Sequence, residues 1–446
     1  DLEARFFDWR CRNLFDRSLS DWGNSHHGNA RVMIPEIITS IPGPRSLALA
    51  ARLREHESRN VTYMDHSWPV FWEKAKGVNV WDADGNRFLD FTSAFGVAGL
   101  GHRHPEIVEA MKEQSDQLLH GMGDVHPTAL KVELCEQLSK LTFEKWGAGS
   151  GKVVLSNSGF EAVETALKTA RLATGKRRVM AFTDGYHGLG YGSLLGTDLE
   201  KFRGPFVDQL AEVTNRVKYG SFELPNDDEI GAVLVEPIQG RGGKVIPPPG
   251  FLFALRNWCD EHNALLIFDE IYTGFFRTGK WFAGEWEGVV PDLICVGKAM
   301  SGGFPISACV GKEEVMDQWP KSPGEALHTS TFLGHPVGCA MALKSLEIFE
   351  RDATVRLVEQ SSQRLSSALQ SFDHKAVREV RGRGLMWGLE LNRPAGKLLT
   401  SLLAEGILFL ADGPEGNVLS FTPPFLISER ELDYALAAIR RLLDAS

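Results

Sequence analysis

Cysteine is scarce in this chain, and none of it is arranged for pairing. The six cysteines, Cys11, Cys135, Cys259, Cys295, Cys309 and Cys339, show no Cys-x-x-Cys spacing, which argues against a zinc site, or any metal site, and against a disulfide framework. A reduced compartment, the cytoplasm, is therefore expected. Long apolar runs are missing too, since none reaches the ~18 residues that a membrane span requires. The first forty residues, with Arg5, Arg10, Arg12, Asp16 and Arg17, lack the apolar core of a signal peptide, so export is not expected. Basic charge is in deficit: 48 Lys and Arg face 58 Asp and Glu, a formal net charge of −10. Nucleic acid and anionic membranes both reward clustered cations, so neither is expected as a partner. No internal repeat or low-complexity tract is present.

What the chain does have is length and alternation. Its 446 residues fit one large domain with a smaller one. Residues 1–50 read as a polar arm that wraps another surface. Residues 51–95 include Val78–Trp81 and Arg87–Phe91 around Asp84-Gly85, the pattern of a hairpin, and form the N-terminal part of a small domain. Across 96–335 strands alternate with helices, as in α/β units on a largely parallel sheet. After Pro336, in 336–446, a helical stretch to about Leu369 precedes a Gly-rich strand at Arg381–Gly388. A closing amphipathic helix follows, with Leu432, Leu436, Ile439 and Leu443 on one stripe, and the whole reads as a C-terminal small domain.

Two strands end in chemistry. Pro291–Val296 runs into Gly297-Lys298, and Ala264–Phe268 runs into Asp269-Glu270. In an open parallel sheet the carboxyl ends of strands line the ligand crevice, so these ends deliver a lysine and an aspartate to one place. A lysine that forms a Schiff base and an aspartate that pairs with a pyridinium nitrogen are what pyridoxal phosphate chemistry needs. A lone lysine is more often a solvated amine; three further constellations weigh against that here. Ser156-Asn157-Ser158-Gly159-Phe160-Glu161 opens a helix whose free N–H groups suit a phosphate, although an Asn/Ser cap reads the same way. Gly185-Tyr186-His187-Gly188 places an aromatic between glycines, suited to stacking on a heteroaromatic ring or to a plain turn. His328–Pro336 is a hydroxyl-rich turn after an expected strand, in which Thr331 offers a hydroxyl to a phosphate.

Together with Val235-Glu236-Pro237-Ile238-Gln239-Gly240 and Asp269-Glu270-Ile271, these segments stand in the order and spacing of the class III aminotransferases, which the chain resembles from about residue 45 to 446. The resemblance implies fold type I: an α/β large domain on a mainly parallel seven-stranded sheet, with a smaller α+β domain. It also implies pyridoxal 5'-phosphate as cofactor and a homodimer with active sites at the subunit interface. Lys298 resembles the Schiff-base lysine and Asp269 the partner of the pyridine nitrogen. Tyr186 and Ile271 match the two sides of the ring, and Gly159 and Phe160, with Ser158, the phosphate site. Thr331 matches the residue that reaches the neighbouring subunit's cofactor. His187, Glu236 and Tyr272 are expected around the cofactor, and Phe95 and Arg241 against the substrate. His102 falls in a turn of structural role.

The departures concern substrate. Members acting on amino acids commonly carry Gln-Gly-Glu-Gly-Gly, where this chain has Gln239-Gly240-Arg241-Gly242-Gly243. They carry Arg two residues before Thr/Ala-Pro-Pro, where it has Ser420. The usual carboxylate clamp is missing, and Arg241 on its Gly-flanked loop is the candidate replacement. The expected activity is transfer of an amino group from an amine or ω-amino compound to a 2-oxo acid of pyruvate or 2-oxoglutarate type. A racemase, epimerase or aminomutase of the same fold, using the same Lys298 chemistry, is the alternative.

Overall fold

The computed structural model describes residues 33–65 and 67–445. At its centre lie seven strands: β1 (Gly151–Ser156), β2 (Arg178–Phe182), β3 (Thr214–Val217), β4 (Ile230–Val235), β5 (Leu265–Asp269), β6 (Leu293–Val296) and β7 (Ser307–Lys312). Their order in the sheet is β1-β7-β6-β5-β4-β2-β3. Every neighbouring pair from β6 to β3 is parallel, and β7 alone runs antiparallel to the strands beside it.

The strand sequences explain this. β4 is apolar and buried at all six positions, because a parallel sheet is covered on both faces. Its alternate residues feed two separate cores. Ala232 and Leu234 pack with Ala162, Val163 and Ala166 of helix α1 (Gly159–Thr174), whereas Val233 and Val235 share a core with Phe251, Leu255 and Trp258 of helix α2 (Phe251–Glu261). Each such aliphatic side chain removed from water stabilises the fold by roughly 1.5–3 kcal/mol.

Two smaller sheets flank this centre. One joins Trp72–Lys76, Asn79–Asp82 and Arg87–Asp90 to Ile407–Leu408, which pairs parallel with Arg87–Asp90 and so ties distant parts of the chain together. The expected hairpin is there, with Gly85 at φ 88° in its turn. The other sheet contains Val377–Arg383, Met386–Leu391, Val418–Phe421 and Leu410–Asp412. The amphipathic helix Glu429–Asp444 buries Leu432, Ile439 and Leu443, with Leu436 partly buried beside them.

Three expectations change. The Gly-rich segment Arg381–Gly388 is the turn of a hairpin, reversing at Gly384 with φ 62°, where an added Cβ would lie 2.3 Å from the Thr278 backbone. The helix after Pro336 is two helices, Pro336–Glu350 and Asp352–Gln370, broken where Arg351 is extended. Among the described residues no strand leads directly into the His328 turn; after β7 come the helix Glu313–Met316 and a loop. The end of the expected arm lies on its own chain, with Glu36 bridging to Arg87 and a helix starting at Pro44. Its remainder, with Cys11, lies outside the described residues.

Candidate active site

Asp269 closes β5 and faces Cys295 of β6 in register, so the two strands end side by side. Two residues past β6, Lys298 follows Gly297 with φ +46°. A left-handed conformation costs a side-chain-bearing residue about 1–3 kcal/mol and persists only where surrounding structure holds it. Both residues line one cavity of about 660 Å³. The Lys298 side chain is half-buried against it, and its Nζ lies 4.4 Å from the centre of the Tyr272 ring. Burial lowers the pKa of this amine below its ordinary 10.5, against the pull of Tyr272, Asp269 and Glu236. A lysine so placed holds its proton less tightly and becomes a better nucleophile near neutral pH.

Asp269 is held on both oxygens. His187 Nδ1 lies 2.8 Å from Oδ2, and the backbone N–H of Ile271 donates to Oδ1 at 3.1 Å. The His187 backbone N–H in turn donates to Thr197 Oγ1 at 2.9 Å, which fixes the turn carrying the imidazole. Glu236, at the end of β4, is buried and ties two loops together, accepting from the Tyr186 N–H at 3.0 Å and the Gly240 N–H at 2.9 Å. Burial raises its pKa, with His187 acting in the opposite direction.

The end of the cavity lined by Ser158, Gly159 and Phe160 is built by α1. Glu161 reaches back to accept from the Asn157 and Ser158 N–H groups at 2.9 and 2.8 Å and from Ser158 Oγ at 3.0 Å. The cap reading is thus correct for Ser158, and the Gly159 and Phe160 amides beyond it belong to the first turn, where N–H groups have no helical partner. A Cβ on Gly159 would meet Ile271 Cδ1 at 2.9 Å, so glycine lets the helix start against the residue behind the cavity. A fixed carboxylate, a lysine of lowered proton affinity, a helix N-terminus, and Tyr186 and Ile271 lining one cavity fit an aromatic aldehyde phosphate such as pyridoxal 5'-phosphate. Thr331 is exposed and outside this cavity, while Asn157, on its wall, donates to Ser330 Oγ at 3.0 Å.

The model of the family described as aminotransferase class-III matches residues 61–443. The chain belongs to the class III aminotransferases. The chain is 38% identical over 390 residues to ornithine aminotransferase 2 of Staphylococcus aureus, covering 84% of this chain and 94% of that one. It is also 38% identical over 382 residues to the acetylornithine aminotransferase of Methanopyrus kandleri, covering 85% and 95%. Among solved structures, an ornithine aminotransferase from Toxoplasma gondii is similar, with TM-score 0.79 and 30% identity over 90% of this chain and 95% of that one.

In this class III aminotransferase the cavity is also lined by Phe95 and Arg241, the two residues expected against the substrate. Phe95 follows Ser93 and Ala94 and precedes Gly96 in a run of four residues with positive φ, and is more than half exposed. The Arg241 guanidinium lies 5.4 Å from the ring centres of both Tyr186 and Phe202. Among the described residues no carboxylate forms an ion pair with it. Sequence reasoning missed Asp412, which lines the cavity and pairs with the fully buried Lys244 at 2.6 Å. The two are 168 positions apart, and no local pattern marks them. Tyr272 uses its hydroxyl on Thr422 Oγ1 at 3.3 Å, and its ring is wedged between Gly96 and Gly240.

Proposed function

We propose that this aminotransferase moves an amino group from an ω-amino compound or amine to a 2-oxo acid of pyruvate or 2-oxoglutarate type, in two half-reactions on one pyridoxal 5'-phosphate. The observation that carries this reading is the meeting of Lys298 and Asp269 at adjacent strand ends in one cavity. Relatives named for ornithine and acetylornithine, both bearing an ω-nitrogen, support the donor class. So does a similar PLP-bound amine transaminase structure from an uncultivated Pseudomonas species, with TM-score 0.77 and 25% identity over 87% of this chain and 98% of that one.

When bound, the cofactor supplies an aldehyde carbon that takes up amines and a ring that accepts an electron pair. The chain's own residues do the rest. Lys298 would hold the cofactor covalently, and its Nζ would carry the proton that leaves the substrate's Cα. Asp269, oriented by His187, keeps the ring nitrogen protonated. The Gly159 and Phe160 amides hold the phosphate, with Ser158 capping that helix, and Tyr186 and Ile271 hold the ring. Glu236 and Tyr272 fix the walls. Arg241 receives the 2-oxo acid's carboxylate through its planar fork. Thr331 serves the cofactor of a second copy of this chain. Its loop contacts Asp124 through Thr329, beside the exposed Leu118, Leu119, Met122, Val125 and Phe332, an apolar face suited to a homodimer.

A half-reaction tests the reading. With an ω-amino donor alone, the loaded enzyme should release one carbonyl product per site and stop, then resume when a 2-oxo acid is added. Continuous turnover on the donor alone, or inversion of its stereocentre, would point instead to an isomerase.

A further inference from the structure

Lys244 is the one lysine besides Lys298 whose ammonium stands over the Tyr272 ring among the described residues, with Nζ 4.5 Å from the ring centre against 4.4 Å for Lys298. It is fully buried and adopts φ 58°. Gly388 makes room for it, since a Cβ there would lie 3.2 Å from Lys244 Cβ. Its Nζ donates to Asp412 Oδ2 at 2.6 Å and to the Gly240 carbonyl at 3.3 Å. A buried ammonium without a counter-ion would lose its proton. Burial does oppose the charge, but Asp412 and Tyr272 outweigh it and hold the pKa above 10.5, so Lys244 is a fixed cation at working pH.

We propose that Lys244, fixed by Asp412 beside the Tyr272 ring, is a positioning residue that keeps the Lys298 amine in its neutral, nucleophilic form. This rests on Lys298 being the reactive lysine of the proposed function. Two cations around one ring repel each other, and the one with a carboxylate partner keeps its proton. The groups facing Lys298 from the other packed elements act the opposite way: Asp269 from β5, Tyr272 from the turn after it, and Glu236 from β4. Burial lowers the Lys298 pKa most, and among the charged groups around it Lys244 is the one that adds to that lowering. Tyr272 also faces Arg277, which is buried and bound to the Leu385 and Pro423 carbonyls. Tyr272 thus presents a ring on which both amines converge.

The test reads the amine itself. In cofactor-free protein, an amine-acylating reagent is pulsed at a series of pH values, and the modification of Lys298 is counted by peptide mass spectrometry. In Lys244→Met the midpoint for Lys298 reactivity should rise by about half to one pH unit, the effect of one charge across a partly polarisable interior. Lys244→Arg should keep it near that of the unaltered protein. Because Lys244→Met strands the Asp412 carboxylate, the double variant Lys244→Met/Asp412→Leu is read as well, since replacing both members of a buried pair is commonly tolerated. A rise that persists in the double variant supports the proposal. A rise that vanishes there assigns the effect to the stranded carboxylate and overturns it, as does an unmoved midpoint in Lys244→Met. Whether Lys298 carries the cofactor is read separately by reductive trapping, so loss of that anchor and loss of this coupling are distinguishable.

Discussion

If the proposed function holds, Lys298 bears the largest functional consequence of any single side chain. Lys298→Ala should fold and lose turnover by at least 10²–10⁴-fold, the ordinary cost of removing a positioned acid–base group, with loss of the anchor added. Measured steady-state rates within tenfold of the unaltered enzyme would rule the assignment out. The same burial has a signature in stability. With its pKa lowered from 10.5, the folded cofactor-free chain binds fewer protons at this site than the unfolded chain does between the lowered value and 10.5. Stability should therefore rise with pH across that window. Urea midpoints from pH 7 to 10 should show this rise relative to Lys298→Met, which lacks the titrating group. Arg241→Ala should weaken the 2-oxo-acid half-reaction by about 1.5–3 kcal/mol, the range for a hydrogen bond to a charged group. The donor half-reaction should hardly change, and equal losses in the two halves would remove Arg241 from the carboxylate site. The sequence showed Lys298 and Asp269 because each ends an apolar run. It concealed the aromatic pocket around Arg241, since Phe202 and Tyr186 come to it from elsewhere in the chain.

At the scale of elements, the strands and helices that position the site were readable from alternation and composition, and the sheet then placed β5 beside β6. The hairpin around Gly384 was not readable as two strands, because Arg381–Gly388 offers no clear polar turn, only glycines that suit a strand bend equally well. The break at Arg351 was hidden for a related reason: apolar spacing continues across it, and only the backbone reversal divides the helices. Loop contacts matter as much as the strands. A Cβ on Gly240 would stand 2.5 Å from Tyr272 Cδ1, and one on Gly96 2.5 Å from Cε2, so the ring has no slack between its two loops. Gly240→Ala should destabilise the protein by about 1–3 kcal/mol through overpacking. It should also shift the cavity wall, which chemical denaturation and cofactor affinity together would detect. A variant with unchanged denaturation and affinity would mean that the loops yield freely.

For the whole molecule, the site depends on parts of the chain that lie far apart. Lys244 and Asp412, Arg277 and Pro423, and Ser93 and the Thr422 carbonyl all join the β-sheet centre or its preceding segment to the C-terminal region. Thr331 is exposed, as are Met122 and Phe332, and under the proposed function it extends this dependence to a second copy. Sedimentation should find a dimer, and Thr331→Ala should weaken pyridoxal 5'-phosphate retention by about 1.5–3 kcal/mol without dissociating it. Unchanged retention would leave Thr331 outside the site. Composition and periodicity do not point to such a contact; only the resemblance to the class III aminotransferases implies it. The central claim, that two neighbouring strand ends make one covalent cofactor site, has a direct measurement. The protein is loaded with pyridoxal 5'-phosphate, reduced with borohydride, digested, and searched for the added mass. The account predicts a single labelled lysine, Lys298, at close to one equivalent per chain, and no label in Lys298→Ala. Label on another lysine, or equal labelling of the variant, would contradict it.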